Sequence, residues 1–160
     1  MKTKVNKFAV IFGILVMFAA CSKRPLNVTV LSEKPTEFNG KIVRVSGCFK
    51  AGQETVALLP CRTLDQKAIQ EAVWVEDLEA FEYFESIAPR DRKWRSTHEG
   101  HLSDADREQM RRLFSTKTRK PFPVILEGEF QVGQKYGHLG GFDRQIILYK
   151  VVAAEWPAGA

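Results

Sequence analysis

The chain has 160 residues, 44% of them hydrophobic, with a formal net charge of +5. That is enough apolar material for one domain with its own core, and no repeat or low-complexity tract suggests a solenoid or a disordered chain. Lys2, Lys4 and Lys7 precede Cys21 with no acid among them, so the part from Cys21 onward carries only +2. Basicity is therefore no argument for nucleic acid or acidic substrates, and nucleic-acid binding is disfavoured.

Residues 1–20 read as a targeting segment. The cationic `MKTKVNK` is followed by `FAVIFGILVMFAA`, thirteen apolar or small residues. A spanning helix takes about 20, so this run has the length of a signal-peptide core. The following `FAAC` resembles the lipobox of bacterial lipoproteins, with Phe18 where such motifs usually carry Leu. The resemblance implies cleavage after Ala20 and acylation of Cys21, palmitate being the kind of group attached. Ser22 resembles the outer-membrane sorting pattern, which implies a lipid-anchored protein of the cell envelope, at the outer membrane and facing the periplasm. Residues 21–31 are expected to be a polar tether, residues 32–156 the folded domain, and residues 157–160 a tail.

Within the domain, Ser32 is an N-cap candidate, Pro35 suits a first turn and Asn39-Gly40 can stop it, so a brief helical turn is expected around Glu33–Phe38. In `KIVRVSGCF`, Val43, Val45, Gly47 and Phe49 share one face while Arg44 and Ser46 take the other, which is a half-buried strand. `KAGQE` is a turn and `TVALL` a second strand. `CRTLDQKAIQ` connects to a third strand, `AVWVE`. Residues 77–121 then break the β pattern. Within them Ser103 and Asp106 form a near capping box ahead of Met110, Leu113 and Phe114 on one helical face. Strand character returns in `PVILEGEFQV`, and `RQIILYKVVAA` is a fifth strand.

Export favours pairing of Cys48 with Cys61. A hairpin turning near Gly52 opposes it, since that register sets Cys48 opposite about Val56 and Cys61 opposite Lys41 to Val43. Pro60, which cannot donate to a ladder, ends the second strand and frees Cys61 to fold back. A disulfide and two buried thiols both remain open at this level.

Three strands, a mainly helical insertion and two more strands match an all-β, five-stranded OB-fold-like Greek-key barrel with its helix between strands three and four. The segments `FNGKIVRVSG`, `AVWVE`, `VILEGEF` and `YGHLGGF` also resemble a group of uncharacterised bacterial OB-fold-type proteins, often lipoproteins, over roughly residues 36–76 and 122–152. Those motifs shape backbone, so the resemblance implies a fold more specifically than an activity.

`KYGHLGGF` joins strands four and five, where OB-folds commonly frame a ligand. A ten-residue connection from Gly133 to Phe142 is expected, with His138 bonding a neighbouring carbonyl and Tyr136 and Phe142 packing over the barrel end. Direct contact of Tyr136, His138 and Phe142 with a ligand or partner is the alternative. No acid or nucleophile is set beside His138 by sequence, so no catalytic residue is assigned. His98 and His101 lie three apart beside Gly100, unlike helical zinc pairs, and are expected in a solvated loop; no metal or cofactor is assigned. `RDRKWR`, Arg90 to Arg95, is expected on a mixed-charge surface, with contact to headgroups or an anionic polymer as the sharper reading. The expected function is non-enzymatic: a lipid-anchored binding module for an envelope protein or polymer, using the face between Lys50–Glu54 and Tyr136–Phe142. An envelope enzyme with a site between the insertion and the loop before strand five is the alternative, and a purely structural envelope protein is the third.

Overall fold

The computed structural model describes residues 24–52, 55–62, 65–77, 102–116, 118, 120–137 and 140–158. Its strands are β1 (Leu26–Asn27), β2 (Lys41–Ala51), β3 (Val56–Leu59), β4 (Val73–Asp77), β5 (Phe122–Tyr136) and β6 (Phe142–Ala154). Its helices are α1 (Val28–Glu33), α2 (Pro35–Phe38), α3 (Gln66–Gln70) and α4 (Asp104–Ser115).

Strands β2, β3, β4, β6 and β5 pair in that order, and β5 returns to β2, closing a five-stranded barrel. All pairings round the ring are antiparallel except β4 with β6, which is parallel. The last strand thus inserts between the third and fourth of the barrel, giving the Greek-key, OB-like arrangement. The period-two pattern determines which side chains enter it. Val43, Val45 and Phe49 of β2 meet Leu58, Val73, Val75, Val124, Leu126, Phe130, Ile146 and Leu148 in one core. Gly128 allows the wall to bend, because a Cβ there would run into the Ile147 carbonyl oxygen and lie 2.9 Å from Ile146 Cγ1.

One end of the core is covered by α4. Ser103 caps it, accepting from the Asp106 amide at 3.2 Å, with Asp104 and Asp106 in its first turn. Its apolar face buries Met110 and Leu113, and Phe114 packs edge-on against Phe49 at 6.1 Å. Trp156, beyond the last strand, packs on Phe122 at 6.0 Å and carries the Arg112 guanidinium 4.2 Å above its ring.

Four expectations change. The tether does not extend to residue 31: Leu26 and Asn27 pair in parallel with Val45 and Ser46, and Val28 and Leu31 are fully buried. The expected turn around Glu33–Phe38 is α2, with Pro35 in its first turn, but an unexpected helix precedes it, starting at Val28 and capped by Asn27, whose Oδ1 accepts from the Thr29 amide at 2.9 Å. Ser32 is inside that helix, and its hydroxyl donates to the Glu71 carbonyl at 2.6 Å instead of capping. The β2–β3 hairpin turns later than Gly52, pairing Cys48 with Leu59 and Ala51 with Val56. Finally, β5 continues through Tyr136, which pairs with Phe142 beyond an irregular stretch that holds Lys135 at φ 69°, so the link to β6 shrinks to Gly137–Gly141.

Candidate functional site

A groove of about 430 Å³ crosses the outside of β2, β5 and β6, lined by Asn27, Ser46, Gly47, Cys61, Pro123–Ile125 and Ala153–Glu155. Its form follows from the register. Asn27, Ser46, Ile125 and Ala153 lie in one cross-strand row, and Gly47, Val124 and Ala154 in the next. Small residues at the ends of these rows leave a depression. On one side runs the charged row Arg44, Glu127 and Lys150, in which Arg44 donates to Glu127 at 2.7 Å. The floor is apolar, and polar groups stand at the edges: Asn27, Ser46, whose hydroxyl donates to the Leu26 carbonyl at 3.2 Å, and Glu155.

The disulfide borders this groove. Cys48 and Cys61 are joined, with their α-carbons 5.0 Å apart. The later hairpin turn makes this feasible: Cys48 faces Leu59, the last residue of the strand before Pro60, and Cys61 folds back two positions beyond Cys48's partner. Behind the bend lies Glu71. Its carboxylate accepts from Arg62 at 2.9 Å and from the Thr29 hydroxyl at 3.1 Å, with Lys67 3.8 Å away. Burial pushes its pKa up, but the bonds from Arg62 and Thr29 and the charges of Arg62 and Lys67 outweigh that and hold it below the ordinary 4.5.

The β5–β6 link is built into the wall. Tyr136 is buried, its ring over Gly133, which has no room for a Cβ beneath the hydroxyl. Gly137, with φ 73°, lies against Trp74, where a Cβ would sit 2.5 Å from Cε3. Phe142 is half-buried on the same indole, ring centres 5.4 Å apart, and rests against Ala57, Leu59 and Ala72. Trp74 Nε1 donates to Glu76 at 2.9 Å. Tyr136 therefore offers almost no surface to a ligand, and Phe142, at the same end of the expected face, is partly covered by Trp74; Gln53 and Glu54, at its other end, lie outside the described residues. His138 lies outside the described residues, as do Cys21, His98, His101 and Arg90–Arg95.

No family model, curated protein or solved structure matches the chain.

A second polar feature runs over β5 and β6. Gln145 donates to Gln131 at 2.8 Å, Gln131 donates to Glu129 at 3.0 Å, and the Tyr149 hydroxyl donates to Glu129 at 3.2 Å. All four are buried. Among the described residues no buried side-chain polar atom lacks a hydrogen-bond partner, and no three His, Cys, Asp or Glu converge as a metal site. This chain of bonds ties β5 to β6, as a satisfied buried network does.

Sequence reasoning picked out Cys61 but missed the other groove residues. Ser46, Ile125 and Ala153 look like ordinary outward positions of three separate strands. The groove arises only where these positions align across strands beside the small Gly47 and Ala154, and that alignment is not visible in one strand at a time. Glu71 sits in `AIQEA`, where it resembles any exposed helix-end acid.

Proposed function

We propose that the chain is a lipid-anchored protein of the bacterial cell envelope whose barrel is a non-catalytic module binding a protein or an envelope polymer through the groove beside Cys61. The anchor reading rests on `FAAC` and the signal-like residues before it, and on the likeness to OB-fold-type lipoproteins. The observation that carries the binding reading is the position of the groove. The first strand, paired onto the barrel wall, begins at Leu26, five residues after Cys21, and Asn27 already lines the groove. Six residues of extended chain reach at most about 21 Å, so a partner in the groove would lie close to the bilayer surface. An apolar floor with polar edges suits a segment of partner lying across the three strands. Facing the periplasm at the outer membrane is the location this reading favours.

A photo-crosslinking residue placed at Ile125 or Ala153 in intact cells tests it, with Lys67 on a different element as the control position. A discrete adduct expected from Ile125 and Ala153, absent from Lys67 and lost in Cys21→Ser, identifies an anchored adaptor. Protease or glycan-hydrolase treatment of the adduct tells protein from polymer. Equal adducts from all three positions, or none, would refute the assignment to this groove.

A further inference from the structure

The two halves of the disulfide differ in access. Cys48 is 8% exposed on β2, whereas Cys61, in the bend after Pro60, is exposed and lines the groove. Thiol–disulfide exchange depends on which sulfur a thiolate can reach, and the open side is that of Cys61. The next residue carries the consequence. The Arg62 amide donates to the Pro60 carbonyl at 2.8 Å, and its guanidinium holds Glu71 at 2.9 Å. Glu71 in turn accepts from Thr29 through its carboxylate and from Ser32 through its carbonyl. A continuous path thus runs from β2, through the disulfide and Arg62, to α1, the helix that follows the N-terminal segment into the barrel.

We propose that the Cys48–Cys61 disulfide is a reducible switch, opened at Cys61 by a dithiol reductant entering the groove, and that its state sets how firmly α1 is held to the barrel. The reductant's thiolate attacks Cys61 Sγ, forming a mixed disulfide as the bond to Cys48 breaks. Cys48 leaves with the electron pair as a thiolate and takes a proton from water. The reductant's second thiolate then displaces Cys61, which is protonated likewise. The protein gains two electrons and two protons, and the reductant leaves as its own disulfide. The barrel core and the β2–β5 ladder do not pass through this bond and persist. The bend bearing Arg62 loses its covalent hold on β2, and with it the ordered placement of the guanidinium on Glu71.

The test uses the full chain in detergent. Oxidised protein is exposed to reduced glutathione as a monothiol probe, quenched with acid and alkylated, and the adduct is mapped. It is expected on Cys61 over Cys48 by at least about tenfold, without denaturant. After reduction with dithiothreitol, amides of α1 are expected to exchange about fivefold faster, the scale of one partly exposed ion pair, while those of β5 and β6 are unchanged. Arg62→Ala, with the disulfide intact, is expected to give the same acceleration, and reducing that variant to add less than about twofold. An adduct shared equally by the two cysteines, or reduction only in denaturant, would overturn the route through Cys61. Unchanged α1 exchange, or acceleration of every strand together, would overturn the switch, the latter making the bond a global staple.

Discussion

Replacing Glu71 by Gln keeps the side-chain shape while removing the charge and turning one of the two accepting oxygens into a donor, so it tests what the carboxylate contributes to the clasp on α1. The carboxylate receives Arg62 at 2.9 Å and Thr29 at 3.1 Å in a site where Glu71 itself is 8% exposed. Arg62 is more than a third exposed, at 37%, which lets solvent screen its half of the pair. The estimate therefore belongs near the upper end of surface pairs, about 1 kcal/mol, and not among fully buried ones. For a chain of this size that is a fall in Tm of about 3 °C. The pH dependence follows from the folded-state pKa lying below the unfolded 4.5. Such a group contributes stability that is fully present above the unfolded value and is lost as pH falls through the folded one. Urea denaturation of wild type and Glu71→Gln at several pH values is the assay. The difference is expected to be constant from pH 7 down to about 5 and to shrink as pH falls below 4.5. A difference that persists unchanged at pH 3, or grows there, would refute the assignment of the effect to the Glu71 charge.

Two further substitutions examine the wall and the barrel end. Gly137→Ala combines a left-handed backbone with a Cβ 2.5 Å from Trp74, and is expected to cost roughly 2–4 kcal/mol with a shift in tryptophan emission; a loss below about 0.5 kcal/mol in urea denaturation would show that the loop does not rest on the indole. Arg112→Ala removes the cation over Trp156 and is expected to cost about 1 kcal/mol, the scale of an exposed cation–π contact, with altered Trp156 fluorescence in a background where Trp74 and Trp94, the other two tryptophans, are both replaced by Phe. Unaltered emission in that background would argue against the stacked geometry.

Much of the barrel was legible because its physics is local. A strand with one face in the core must alternate, so `KIVRVSGCF` and `VILEGEF` announced both their conformation and their buried side. Ser103 and Asp106 announced the start of α4 in the same way, since a cap is satisfied within a single turn. The first helix was less visible: its buried stripe is only Val28 and Leu31, too short to show a period, and Ser32 offered a competing cap. Extending β5 to Tyr136 depended on pairing with Phe142 across a link containing Gly137 and Gly140, both at positive φ, which no single-strand pattern contains.

Local chemistry along the chain set the alternation, the helix cap, the breakers at Pro60 and Gly40, and hence a barrel of five strands with a helix before the fourth. Tertiary structure alone decided the hairpin register that lets Cys61 reach Cys48, the placement of Glu71 between Arg62 and Thr29, and the groove where Ser46, Ile125 and Ala153 align. The reason is separation along the chain. Alternation and capping are settled among neighbours a few residues apart, whereas a register, a buried carboxylate and a groove are settled by residues that meet only once the barrel has closed.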